Sequence, residues 1–248
     1  MEWEEYSDQI KELLKLKGSP VAITYSMKPP STSSTSADGK YRVCDAFLEA
    51  RDGKIIDLTV KSSACPGGTW HLGLGERPKG EGDKALKNFL VNGEKLYCSV
   101  AAFYRAQALT ASPPLGLAEH IILSPMEKAE LRPDIVLFIC NAEQACRLVT
   151  LDSYSTGMPP RIEMSGSTCH QAVAYPIVSG ELNVTLMDYT SRHIRGYKPE
   201  DLMVTIPYHR FHAVIRSIDH CTAGRAKMEV PESFRRVIDA DSVSDQED

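Results

Sequence analysis

Three cysteines share a local setting in which a thiolate could hold a metal or attack an electrophile. Cys44 opens a predicted short helix, Cys65 precedes a Pro-Gly-Gly turn, and Cys169 follows a glycine-serine turn near a predicted helix start. Backbone N–H groups exposed at helix starts and turns favour the thiolate, so we expect the pKa of these thiols to be lowered. Thiolates are the ligands of iron–sulfur clusters. The trio therefore predicts a metal centre, with a [4Fe–4S] cluster as the cofactor.

The chain bends sharply around the second of these thiols, where residues 62–75 read SSACPGGTWHLGLG. Glycines at positions 67 and 68 let backbone amides approach a sulfur atom or an anion closely, and amide hydrogen bonds to sulfur tune iron–sulfur clusters. We therefore expect Gly67 and Gly68 to take part in cofactor binding. Residues 165–167, Ser-Gly-Ser, offer the same freedom beside Cys169.

Three cysteines leave the fourth place at such a centre to another ligand. Cys98 is the first candidate, although it lies in an apolar helical pattern that is more typical of a core residue. His170 and an exogenous ligand are the alternatives, and an open position would let the metal bind and polarise a small molecule. His71 and His170 both lie near a cysteine of the trio and could ligate metal or act as acid or base. A histidine that is simply hydrogen-bonded or exposed fits their positions as well.

Arg192 is the candidate for binding an anionic group, because its guanidinium offers a fork of donors that matches a carboxylate or phosphate. It follows a predicted strand within the stretch MDYTSRH. A surface cation paired with Asp188 is the alternative for this residue. Trp70 could line a pocket, but core packing explains it too.

Other interpretations of the cysteines stay open because their spacing is not diagnostic and no C-x-x-C run is present. Free thiols often pack as small buried hydrophobes, and this is the reading we favour for Cys140 and Cys146. A second function is a metal-free module that binds a small anion through glycine amides and Arg192. A third is a cysteine-dependent enzyme with Cys169 as nucleophile. His170 is then poorly placed as its base, since adjacent helical residues point about 100° apart.

The composition excludes several classes of protein. The 248 residues are 42% apolar and 25% charged with a formal net charge of −5, which does not favour nucleic acid or an anionic membrane. The acidic N-terminus lacks the features of a signal peptide, and no apolar run reaches the roughly 20 residues of a membrane span. Seven cysteines, an odd number, argue against a disulfide framework. We expect a cytoplasmic protein with a small-molecule ligand or a redox protein as partner, and an oligomer is compatible with this.

The secondary-structure pattern mixes β-α-β units with adjacent strands, which predicts an α/β or α+β fold with a mixed sheet flanked by helices. One globular domain is expected over residues 1–228, and the acidic residues 229–248 are expected to be a disordered tail. The predicted helices cover residues 2–16, 44–51, 84–90, 96–109, 143–151 and 198–203. A further helix is predicted within residues 165–175, where it carries Cys169, and VTIPYHRFHAVIRSID is predicted to supply a strand end followed by a helix. The predicted strands cover VAITYSM, residues 54–60, HIILSPM, DIVLFICN and ELNVTLMDY.

A weak internal echo links two of the cysteines. Cys44 is followed by a short helix, Gly53 and a strand, and Cys169 is followed by a short helix, Gly180 and a strand. Chance can produce such an echo. If it reflects two related halves, both helix starts can meet at one central cleft.

Six stretches in this order resemble an uncharacterised family, the domain of unknown function numbered one-six-nine. They include VCDAFLEA, ACPGGTWHLGLG, RPDIVLFICNAEQACRLV and STCHQAVAYPIVSGELNVTLMDYTSR. The resemblance spans roughly residues 13–218 and implies family cysteines at Cys44, Cys65 and Cys169 and an arginine at Arg192. Cys98 and His170 match no position of that pattern. The family has no settled activity, so the resemblance implies topology and candidate positions rather than a function.

Overall fold

The structure is a computed structural model that describes residues 2–33, 39–164 and 167–233. The Ser165-Gly166 turn and most of the predicted tail, residues 234–248, lie outside the described residues. The helices are α1 (Glu2–Leu14), α2 (Val43–Arg51), α3 (Pro66–His71), α4 (Glu81–Asn88), α5 (Val100–Ala108), α6 (Ala142–Tyr154), α7 (Tyr175–Ser179), α8 (Tyr189–Ile194) and α9 (Tyr208–Ser217). The strands are β1 (Val21–Ser26), β2 (Ile56–Leu58), β3 (His120–Pro125), β4 (Ile135–Cys140), β5 (Asn183–Thr185) and β6 (Leu202–Pro207). There are two π-helical segments among the described residues. The first, Phe89–Gly93, follows α4, and the second, His170–Ala174, precedes α7.

The six strands form one sheet in the order β2-β3-β1-β4-β6-β5, and each neighbouring pair is antiparallel. The fold is therefore α+β, and the prediction of a mixed sheet is wrong. A helical crossover does carry the chain from β1 to β2, as the β-α-β pattern predicts. However, β3 inserts between these two strands, so each hydrogen-bonded ladder becomes antiparallel.

The strand arrangement is the same in the two halves of the sheet. Counting outward from the central β1–β4 pair, each half places its first strand, then its third, then its second at the edge. In each half a cysteine-bearing helical segment connects the first strand to the second, and a short helix follows the second strand. The turns before the edge strands use Gly53 and Gly180, with φ of 112° and 70°, values that suit glycine. The sequence echo follows this topology.

Two hydrophobic cores lie on opposite faces of the sheet because successive strand residues point to opposite sides. One face packs against α1, α6 and α9 through residues such as Phe138 and Phe211. The other packs against α2, α3 and the second π-helical segment, and Cys44 and Cys169 border this core. The apolar run of β4 is buried on both faces, as predicted.

Several element boundaries differ from the predictions. The helix predicted over residues 198–203 is wrong, since β6 begins at Leu202. The helix predicted from residue 96 begins only at Val100, because Ser99 is its N-cap and the Ser99 side chain accepts a hydrogen bond from the amide of Ala102. The short helices α3 and α8 were not predicted, because six residues carry too little periodicity for the pattern to register. Across the described ranges, no helix combines the length and apolarity needed to cross a bilayer.

Candidate functional site

Gly68 marks the place where the segments of the three cysteines meet. Cys65 caps the start of α3, and its sulfur accepts the amide of Gly68 at 3.3 Å. A Cβ placed on Gly68 would lie 3.5 Å from Cys169 Sγ, 3.5 Å from Cys65 Cβ and 3.0 Å from a methyl group of Val43, which precedes Cys44. Glycine is thus the residue that fits here, and the predicted amide-to-sulfur hydrogen bond is present.

The predicted lowering of thiol pKa values is wrong for two members of the trio. Burial raises the pKa of Cys44 to about 11, and the negative charges of Asp45, Asp188 and Cys65 add to this effect. Burial also raises the pKa of Cys169 well above its usual value, with further increases from Cys65, Cys44 and Asp188. Desolvation and mutual repulsion outweigh the backbone N–H groups. The same interactions show that the three thiols and Asp188 lie within electrostatic range of one another.

Asp188 connects the surroundings of Cys169 and Cys44. As the cap of α8, its carboxylate accepts the Ser191 amide at 2.7 Å and the Ser191 hydroxyl at 2.8 Å. It also accepts the hydroxyl of Thr168, the residue before Cys169, at 2.5 Å. Burial raises the pKa of the Cys44 thiol, and Ser191 acts on it in the opposite direction. The preceding residue, Met187, has a φ of 66°, which is a conformation that often marks functional sites when it occurs in a residue other than glycine.

The stretch after Asp188 also holds the start of α2 in place. The Tyr197 hydroxyl donates to the carbonyl oxygen of Cys44 at 2.6 Å. Arg195 lies 3.3 Å from the Asp45 carboxylate. Residues 188–197 therefore contact both helix starts, the one that carries Cys44 and the one that carries Cys169. Within this segment, the sequence analysis selected only Arg192 as a site residue.

Arg192 has a structural use in this arrangement. Its guanidinium donates to the carbonyl oxygens of Leu186 at 2.9 Å and Asp201 at 2.6 Å, and also to those of Lys198 and Pro199. It is not paired with Asp188, which caps α8 instead. Because its N–H groups already donate to backbone carbonyl oxygens, the Arg192 side chain stabilises the loop before β6 and does not offer these donors to a ligand.

The remaining predicted site residues lie at different distances from this centre. Gly67 is buried, and a Cβ placed there would lie 4.0 Å from Cys65 Sγ and 3.7 Å from Leu86. Cys98 is exposed in the bend before α5, with its sulfur 4.0 Å from the Ser99 hydroxyl.

The other three cysteines lie apart from this site, and the prediction for one of them is wrong. Cys140 and Cys221 are buried in the core on the opposite face of the sheet. Cys146, predicted to be a core residue, is exposed. Helix α6 turns Ala145 and Leu148 toward the core, so the 3.6-residue period leaves Cys146 on the outer side.

Two buried histidines lie beside the cysteine segments. The rings of His71 and His170 are 6.0 Å apart, and His71 stacks on Trp70 at 4.5 Å. His170 Nε2 lies 3.4 Å from a carboxylate oxygen of Glu163, whereas His71 Nδ1 is buried and has no hydrogen-bond partner among the described residues. Burial lowers the pKa of His71 to about 3 and that of His170 to about 4. Both imidazoles are therefore neutral at physiological pH.

The buried histidines predict a loss of stability in acid. In the unfolded chain His71 binds a proton as the pH falls below 6.5, whereas in the folded chain the pKa of His71 is about 3 and the imidazole stays neutral down to that pH. The free energy of unfolding should therefore fall by about 1.4 kcal/mol per pH unit for this group as the pH drops through that window. His170 adds a similar slope. Urea unfolding of the metal-free protein between pH 7 and pH 4 measures it. His71→Gln should remove about half of the slope, and the exposed His220→Gln should not; equal slopes in all three proteins would contradict the assignment.

The donor set suits a cluster better than a single ion. In the described part of the chain, no group of three His, Cys, Asp or Glu side chains is close enough to hold one metal ion. Four thiolates around one zinc ion lie roughly 3.8 Å apart, given Zn–S distances of about 2.3 Å, whereas a cluster of several iron atoms keeps its thiolates further apart. Three soft donors, an amide bonded to sulfur and an absent side chain at Gly68 fit such a cluster.

Comparison with known proteins gives a family but no activity. The model of the uncharacterised DUF169 family matches residues 9–217. An uncharacterised protein of Methanocaldococcus jannaschii is 27% identical over 226 residues, which cover 87% of this chain and 93% of that protein. No solved structure matches the chain. Because the family model matches residues 9–217, which are most of the sequence, this chain belongs to the DUF169 family.

Proposed function

We propose that this protein holds an iron–sulfur cluster, of the [4Fe–4S] type, on Cys44, Cys65 and Cys169. The observation that carries the proposal is the meeting of three cysteine segments, far apart in sequence, around Gly68. Each thiol belongs to the start of a helical segment, and the amide of Gly68 donates to one of the sulfurs. The cluster supplies redox chemistry, or a Lewis-acidic iron at which a small molecule binds.

The charge distribution supports a cation at this place. The thiols of Cys44 and Cys169 are costly to ionise without metal, because partial burial removes water from them and because Cys65 and Asp188 add negative charge. A bound cation reverses this relation, since it stabilises each thiolate and offsets the repulsion between them. The three half-buried thiols repel one another as thiolates, and a bound metal lowers the free energy of that ionised form.

The alternatives are less well supported by the same residues. An anion-binding module would need a cation at the site, but Arg192 donates to four backbone carbonyls. A nucleophilic Cys169 would need a lowered pKa, whereas burial raises the pKa of this thiol. His170 lies next to Glu163 and His71, which leaves the proposed nucleophile without an evident base.

Purification without oxygen tests the proposal directly. We expect brown protein with a broad absorption band in the visible range, and about four iron and four sulfide per chain for a [4Fe–4S] cluster. Exposure to air should bleach the colour. Folded protein that stays colourless and free of iron, both as purified and after reconstitution with iron and sulfide, contradicts the proposal.

We also propose a cytoplasmic location with a redox protein or small molecule as partner. All seven cysteines are free, which suits a reducing compartment. Fractionation of the native host, with detection of the protein in the cytoplasmic fraction, tests the location.

A further inference from the structure

The two halves of the sheet place Cys65 and Asp188 in equivalent positions. Each residue follows the second strand of its half and caps the short helix that comes next, α3 or α8. Each side chain accepts the amide of the third helical residue: Gly68 N to Cys65 at 3.3 Å, and Ser191 N to Asp188 at 2.7 Å. The caps therefore have the same local geometry with different donor atoms, sulfur in one half and oxygen in the other.

The contacts between the halves follow the same pairing. The helix capped by Cys65 reaches the cysteine of the other half, since Gly68 borders Cys169 Sγ. The segment that begins with α8 reaches the cysteine of the first half, since the Tyr197 hydroxyl donates to the carbonyl oxygen of Cys44 at 2.6 Å. Cys44 and Cys169 are themselves equivalent, because each begins the helical segment between the first and second strands. A centre between the two halves would thus be faced by two pairs of side chains that occupy corresponding positions in the chain.

We propose that Asp188 is the fourth ligand of the metal centre, in the position that Cys65 occupies in the other half. This inference rests on the proposed cluster. It replaces Cys98 and His170 as candidates for the fourth place, and it assigns the set Cys44, Cys65, Cys169 and Asp188.

The carboxylate has the capacity for this role. A carboxylate offers about four lone-pair sites. Among the described residues, the oxygen Oδ1 of Asp188 accepts one hydrogen bond, from the Ser191 amide, while Oδ2 accepts those of the Thr168 hydroxyl and amide and the Ser191 hydroxyl. The bonds to Oδ2 orient the group and leave a lone pair on Oδ1, as is usual for carboxylates that bind metal.

An oxygen ligand among three sulfurs also gives the fourth iron a distinct character. Iron in a cluster prefers soft thiolates to hard carboxylates, so Asp188 is the ligand that an incoming molecule displaces most easily. The open position expected from three cysteines would then be created by exchange at Asp188, while Cys44, Cys65 and Cys169 keep the cluster in place.

A chelator challenge of the anaerobically purified protein tests the inference without any assay of activity. Asp188→Ala should bleach in EDTA at least about tenfold faster than the wild type, a size typical of losing an important metal contact. Asp45→Ala is the matched control, because it removes another carboxylate beside Cys44 that is paired with Arg195 instead. It should bleach within about twofold of the wild type.

A swap of the two caps gives the sharper test. Cys65→Asp leaves two thiolates and should lose most of the iron, whereas adding Asp188→Cys restores three thiolates and one carboxylate with the halves exchanged. Both substitutions keep a side chain that can cap its helix. The double variant should recover the iron content and bleaching rate of the wild type within about twofold.

The outcomes separate this inference from the proposed function. A wild-type protein without iron overturns both. A wild type that carries a cluster, with Asp188→Ala bleaching at the wild-type rate or the swap no better than Cys65→Asp alone, overturns the role of Asp188 and leaves the three-cysteine centre standing.

Discussion

Replacing Cys169 by serine is expected to abolish binding of the proposed iron–sulfur cluster. The Cys169 sulfur borders Gly68, and the charges of Cys65 and Cys44 add to the effect of burial in raising its pKa. A serine hydroxyl is a hard, weakly acidic donor that does not replace a thiolate on iron. We expect iron and sulfide in the anaerobically purified protein to fall to background and the visible absorption to disappear. Cys44→Ser and Cys65→Ser should give the same result, since each removes one of three anchoring sulfurs.

Cys146→Ser is the control for this experiment, because Cys146 is exposed on α6, away from the trio. It should keep the iron content and spectrum of the wild type. Circular dichroism of all four variants shows whether the fold is retained. If Cys169→Ser keeps a full complement of iron while it stays folded, the trio is not the ligand set.

Replacing Arg210 by alanine is expected to cause a large loss of stability, because its network includes a buried carboxylate. Its guanidinium donates to both oxygens of Asp152, at 2.9 Å and 2.5 Å, and to Glu181 at 2.6 Å. The Asp152 side chain is only 2% exposed, whereas that of Arg210 is 21% exposed. Removing the arginine leaves a buried carboxylate without its partner, at a cost of about 3 kcal/mol. Urea unfolding measures the change.

Arg216→Ala provides the matched control, because Arg216 lies on the same helix, α9, with an exposed side chain. Its free energy of unfolding should stay within about 0.5 kcal/mol of the wild type. Adding Asp152→Asn to Arg210→Ala should restore part of the loss, since it removes the stranded charge. Equal stabilities of the two arginine variants would show that the Arg210 network contributes little.

The sequence predicted the elements that carry strong local signals. The amphipathic pattern of the first helix gave its extent almost to the residue, and the apolar run 135–140 was correctly read as a strand buried on both faces. The strands VAITYSM and HIILSPM were also found. The six-residue helices α3 and α8 were missed, because their positions depend on a capping side chain and on packing rather than on periodicity.

The candidate site shows the same division. Residue type and turn context selected Cys44, Cys65 and Cys169, whose segments do meet, and they selected the glycine whose amide reaches sulfur. The same reasoning chose Arg192, whose local sequence does not reveal that carbonyl groups of Asp201 and Pro199 would occupy its donors. The sequence analysis did not select Asp188 as a site residue, because a single aspartate within the predicted strand ELNVTLMDY belongs to no ligand-binding motif.

The sequence by itself determined the soft donors, the glycine turn beside Cys65 and the amphipathic and apolar segments, since these depend on residue type and on neighbours along the chain. Only the folded chain shows that β3 and β6 insert between their partners, that the two halves meet at β1 and β4, and that Asp188 caps α8 as Cys65 caps α3. The fold also raises the pKa of the Cys44 and Cys169 thiols. These properties arise from burial and from charges brought together across more than a hundred residues of chain, and no local pattern encodes them.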